Sequence, residues 1–214
     1  MDPQRHVVVL DCNIYLDVAR VVGGPFTWAK FVALVAQMAK EPVPSPRGPA
    51  FDSVRVVALC MSGRFAGDEP LEVWTNAHID RMVRAKASDP TEGVELPGLG
   101  WSIEDSEELV DLLIGGVIDA SSGGSLGSEG FPDGDPPLDH EDGLVFGACR
   151  LLAGDDPLSN VYCVTWDMSF LQAHRDGRLP AHSRVVNASQ MAAAIRIARK
   201  GFGISSMPKP TAVS

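Results

Sequence analysis

Four acids, Asp11, Asp80, Asp142 and Asp167, stand at points where an alternating chain could bring carboxylates together. Asp11 ends the apolar run His6-Val7-Val8-Val9-Leu10, and Asp167 follows Val161-Tyr162-Cys163-Val164-Thr165. Runs this rich in β-branched residues read as short buried strands of a parallel sheet. Asp142 lies in the first turn of a helix opened by Asp139-His140-Glu141, and Asp80 lies one turn into another. In parallel β/α units the carboxyl ends of strands and the N-termini of helices share one edge, so all four acids are expected there. Carboxylates gathered without a cation raise one another's pKa. A hard divalent ion such as Mg²⁺ relieves that cost, takes carboxylate and phosphate oxygens, and lowers the pKa of a bound water. Ordinary roles compete with this one: Asp139 reads as a helix cap, and Asp80 taken alone as a surface acid. Asp11 is harder to explain that way, because a carboxylate closing an apolar strand gains nothing from burial.

The elements that must position these acids alternate along the chain. Residues 6–10 read as the first strand and Pro25 to Lys40 as a helix, with Pro25 suited to a first turn. Residues 41–53, rich in proline, read as a loop, and Val54 to Cys60 as a second strand. Thr75 is expected to cap a helix running to about Ala87. Ser102-Ile103-Glu104-Asp105 resembles a capping box that opens a helix to about Ile114. The Gly/Ser/Pro-rich stretch 115–138 is expected to be a flap or ordered loop over a site, dispensable for folding. A helix from Asp139, strands at 161–165 and 184–186, and a helix from Ser189 to Arg199 complete the order. Such alternation implies an α/β fold with a mostly parallel central sheet and helices on both faces.

At 214 residues the chain suits one domain, over residues 1–200, with residues 201–214 read as a flexible tail. No apolar run approaches the ~20 residues of a membrane span and no signal-peptide layout is present, so a cytoplasmic protein without membrane contact is expected. The cysteines Cys12, Cys60, Cys149 and Cys163 are too scattered for a zinc site or disulfide framework and read as reduced core thiols. The formal net charge of −10 argues against a surface that coats nucleic acid. That average hides a split: no Lys or Arg falls between Lys86 and Arg150, while the chain from Leu171 carries seven against the single acid Asp176.

Taken in order, these motifs resemble the PIN-domain family of nucleases. Leu10-Asp11-Cys12-Asn13 matches its strand ending in Asp-x-Asn, and Asp80 its mid-chain helical acid. Glu141-Asp142-Gly143-Leu144-Val145-Phe146-Gly147-Ala148 matches its Asp-led, small-residue helix, and Val164-Thr165-Trp166-Asp167 its strand ending in Thr-x-Asp. The resemblance implies a three-layer α/β/α sandwich and a Mg²⁺- or Mn²⁺-dependent nuclease acting most often on RNA. Many bacterial members are VapC-like toxins, which implies an antitoxin partner and leaves a homo-oligomer open. Asp11, Asp142 and Asp167 would then hold metal, Asp80 would complete the catalytic set, and Asn13 and Thr165 would be polar supports behind them. Arg175, Arg178 and Arg184 would meet flanking phosphates, and Trp166 is open to either a core role or base stacking. The chain departs from the family in having Asp80 for the usual Glu and Cys12 where Ser or Thr is common. Two readings stand beside this one: a catalytically silent PIN-like module binding RNA or a protein, and a haloacid-dehalogenase-like phosphohydrolase. The latter wants a second Asp where Asn13 stands. On the metal reading, Asp11→Asn is expected to leave the metal-free protein at least as stable as the parent.

Overall fold

His6–Leu10 form β1, the middle strand, with Val7, Val8, Val9 and Leu10 wholly buried because both faces of the strand are covered. The other strands are β2 (Leu71–Asn76), β3 (Gly124–Leu126), β4 (Asn160–Val164) and β5 (Arg184–Val186). They line up as β3-β2-β1-β4-β5, every pair parallel, with Val8 opposite Val73 on one side and Tyr162 on the other. The computed structural model describes residues 4–40, 48–90, 98–154 and 160–201.

The helices are α1 (Cys12–Val22), α2 (Trp28–Lys40), α3 (Pro49–Cys60), α4 (Ala77–Ser88) and α5 (Ile103–Leu109). A π-helical stretch, Val110–Gly115, runs on into α6 (Gly116–Ser121). After it come α7 (His140–Ala153), α8 (Met168–Arg175) and α9 (Ala188–Gly201). Right-handed connections put the helices between β1 and β3 on one face of the sheet and those between β3 and β5 on the other. α1 packs on α3 and α3 on α9, while α7 lies against β1, β2 and β4. The result is the three-layer α/β/α sandwich expected from the alternation. The strand sequence runs outward from β1 to β3, then returns past β1 to β4. The direction of winding therefore reverses between β1 and β4, which opens a crevice at their carboxyl ends.

Three local expectations are corrected. Val54 to Cys60 is the body of α3 and not a strand. Val54, Val56, Val57, Leu59 and Cys60 are buried between α1 and α9, and a helix apolar all round has no period to tell it from a buried strand. The second strand is β2 instead, whose alternation of buried and half-buried residues ends in Thr75 and Asn76. Asn76, not Thr75, caps α4: its side chain accepts from the Ile79 N–H at 2.9 Å. The stretch 115–138 is only partly loop. Val117 is core, the Ser121 hydroxyl accepts from the Val73 N–H at 3.0 Å, and β3 extends the sheet, so this stretch is structural.

Other expectations hold as drawn. Ser102 accepts from the Asp105 N–H at 3.0 Å, and Asp139 caps α7 by accepting from the Asp142 N–H at 2.8 Å. The four cysteines are free, three of them buried and Cys12 half-buried. No helix among the described residues is long and apolar enough to cross a membrane. Residues 41–47 and the tail from 202 lie outside the described residues.

Candidate functional site

Asp11 follows directly from β1, and its backbone N–H continues the sheet by donating to the Val164 carbonyl at 2.9 Å. Its side chain turns back to cap α1 and is only 4% exposed. Three donors hold it, each at 2.6 Å: the Cys12 N–H on Oδ1, and the Asn13 amide and Thr165 hydroxyl on Oδ2. Burial pushes the Asp11 carboxyl up, the hydrogen bonds from Thr165 and Cys12 pull it down, and the charge of Asp167 adds a further upward push. A carboxylate with three donors is satisfied, which is why the strand can end in one.

Asn13 and Thr165 bind β1 to β4 at the switch point. The Asn13 amide also donates to the Thr165 hydroxyl at 3.0 Å, its oxygen accepts from the Trp166 N–H at 3.2 Å, and the Thr165 hydroxyl accepts from the Asp167 N–H at 2.9 Å. Both residues therefore stand where the motifs put them, behind the acids. Asp167 is the N-cap of α8: its Oδ1 accepts from the Phe170 N–H at 2.9 Å and from the Ser169 hydroxyl at 2.6 Å. The Trp166 indole donates to Ser53 on α3 at 2.8 Å, a packing role in place of a stacking platform.

Asp142 is half-buried in the first turn of α7, and its carboxylate accepts no hydrogen bond among the described residues. Burial first, then the charges of Asp11 and Asp167, and lastly Asp139 and Glu141, push its carboxyl up to about 8. Burial raises the Cys12 thiol and the Cys149 hydrogen bond and burial raise the Cys163 thiol, with the charges of Asp11 and Asp142 adding to both, which leaves the two thiols protonated. Among the described residues none of the three acids is ion-paired with Lys, Arg or His. Their chemistry suits a hard divalent cation. Among the described residues, however, no group of three or more His, Cys, Asp or Glu is closed around a point where an ion could be held. Asp11 and Asp167 have oxygens turned onto helix N–H groups, and like charges without a counter-ion keep apart.

Asp80 lies apart from this group. It accepts from the Thr75 hydroxyl at 2.8 Å, and the charges that bear on it are Arg84 and Asp111; burial raises it above the ordinary carboxylate range. The cause is helical geometry, since residues two apart on a helix point about 200° away from each other. The residue of α4 that does reach the acids is His78, two positions earlier, 3% exposed and close enough for Asp11 and Glu141 to influence it. Burial and Arg81 hold His78 below its ordinary pKa. Sequence reading passed over it because a lone His on a helix carries no motif; its i, i+3 spacing to Arg81 was the available signal.

The three arginines expected near phosphates stand elsewhere. Arg175 closes α8 eight positions after Asp167, a rise of about 12 Å. Arg175 donates to Gln172, Arg178 pairs with Asp176 at 3.5 Å, and Arg184 opens β5 with its guanidinium 5.9 Å from the Tyr162 ring centre. Strands begin at the edge opposite the acids, so Arg184 belongs to that edge. Comparisons of the chain with protein-family models, curated proteins and solved structures return no match.

Proposed function

We propose that the protein is a Mg²⁺- or Mn²⁺-dependent endoribonuclease of PIN type, with Asp11, Asp142 and Asp167 as the metal-holding residues. One observation carries the reading: Asp142 on α7, with no ion pair among the described residues, lies within reach of the charges of Asp11 after β1 and Asp167 in the β4–α8 turn at the topological switch point, and burial together with those charges pushes it up to about 8. Such a cluster costs stability, and a divalent cation is the partner that offsets it. When bound, the cation supplies charge neutralisation at a phosphodiester and the acidity that ionises a water. The chain's own residues do the rest. Thr165 and Asn13 fix the Asp11 carboxylate, the α7 cap presents Asp142, and the α8 cap leaves Asp167 Oδ2 without a donor among the described residues.

RNA as substrate, and the toxin reading with its antitoxin, rest on the order of the motifs. The absence of a closed three-ligand group among the described residues favours the second reading, a silent module that binds RNA or a protein through the same edge. Incubating the protein with labelled single-stranded RNA and DNA under Mg²⁺, Mn²⁺ or EDTA separates the two. Cleavage of RNA that needs metal is expected; binding without cleavage under any metal overturns the enzyme and leaves the module.

A further inference from the structure

Beside the acids stands a small group of donors that the nuclease motifs do not include. Asn76 ties the start of α4 to the start of α7: its amide donates to the Leu144 carbonyl at 3.2 Å and to the Glu129 carbonyl at 3.4 Å. The first turn of α4 is therefore fixed next to the turn that carries Asp142. On that turn His78 Nδ1 meets an Arg81 guanidinium nitrogen at 3.2 Å. A guanidinium only donates, so Nδ1 accepts, and the proton of the neutral ring sits on Nε2. That Nε2–H has no partner among the described residues. Arg81 also pairs with the Glu129 carboxylate, which comes from the loop after β3. This pair is open to solvent, the side chains being 56% and 35% exposed, so the attraction is weak and readily exchanged.

The geometry points to His78 and Arg81 as the seat for a backbone phosphate neighbouring the one that is cut, with the Glu129 carboxylate filling the seat until substrate displaces it. A carboxylate and a phosphate present the same kind of anionic oxygen to a guanidinium, and Arg favours the phosphate by offering two parallel N–H groups. The seat replaces Arg175, Arg178 and Arg184, which stand at the far edge. It would also let a chain of net charge −10 take a polyanion, because Arg81 is joined to His78, which lies within reach of the Asp11 charge. This inference rests on the nuclease reading of the same edge.

The test is fluorescence-anisotropy binding of a short labelled single-stranded RNA, with Ca²⁺ in place of Mg²⁺, to the parent and to Arg81→Ala, Glu129→Gln and Arg175→Ala. Arg81 is exposed, so its loss spares the fold. Arg81→Ala is expected to weaken binding by about three- to tenfold and to flatten its dependence on salt. Glu129→Gln is expected to tighten binding and Arg175→Ala to leave it unchanged. If the parent binds and cleaves RNA but Arg81→Ala and Glu129→Gln behave like it, the seat is wrong and the nuclease reading stands. A parent that neither binds nor cleaves contradicts both.

Discussion

Asp11 and Asp142 look alike as motif residues yet sit in opposite environments, and substitution should separate them. Asp11 accepts three short hydrogen bonds in a buried pocket. An asparagine there would turn an N–H₂ toward the Asn13 or Thr165 donors, so Asp11→Asn is expected to cost about 1–3 kcal/mol, read by urea denaturation without metal. This reverses the expectation drawn from charge alone. Asp142 has no such donors and is raised by burial and by its acidic neighbours. Removing its charge should instead lift the metal-free melting temperature by roughly 2–4 °C. The pH dependence follows from the same shift. An acid whose native pKa is near 8 keeps a proton that the unfolded chain, at the ordinary value of 3.8, has already released. Its contribution to stability is complete below pH 3.8 and is lost as the pH climbs through about 8. Metal-free protein should therefore lose stability across that window, and Asp142→Asn should lose less. Equal slopes for parent and variant would show that Asp142 ionises normally.

At the scale of elements, the loop after β3 is held down by its own backbone as much as by Glu129. The Asp133 N–H donates to the Gly143 carbonyl at 2.8 Å, and Asp133 pairs with His182 at 2.6 Å. Gly147 leaves room for the carbonyl of Phe131, and a Cβ there would overlap that oxygen. Gly147→Ala is expected to destabilise by roughly 2–4 kcal/mol, measured by thermal or urea unfolding, because backbone on both sides must move. A variant as stable as the parent would mean that the loop lifts freely off α7. Much of this architecture was legible in the sequence and some was hidden for definite reasons. β1, β4, β5, α7 and their order were readable, because short β-branched runs and an Asp-capped helix carry their own signals. α3 was not, since burial on all sides erased its period. β2 and β3 were missed because LEVWTN lacks the unbroken β-branched run that marked β1 and β4, and GSL is too short for a pattern. Of the candidate site, Asp11, Asn13, Thr165 and Asp167 are joined by hydrogen bonds, and Asp142 lies within reach of the charges of Asp11 and Asp167 without closing a group of three acids around one point among the described residues. Asp80 and the arginines do not, because which side of a helix or which end of a strand faces the crevice depends on register.

For the whole molecule, stability and the candidate function are linked through one edge of the sheet. A cation that binds the folded acids and not the unfolded chain stabilises by mass action, so Mn²⁺ in excess should raise the melting temperature progressively with concentration. Mg²⁺ should act likewise but more weakly, because it gives up its waters reluctantly. The four N-caps Asp11, Asn76, Asp139 and Asp167 all stand at that edge, so helix N-termini surround the crevice and moderate the cost of its negative charge. The most direct test of the account is calorimetric titration of Mn²⁺ into the parent and into Asp142→Asn, both first shown folded by circular dichroism. The account predicts saturable Mn²⁺ binding by the parent that is lost or reduced at least tenfold in the variant, about 1.4 kcal/mol or more in binding free energy. Absence of binding by the parent, or equal binding by both, would contradict it.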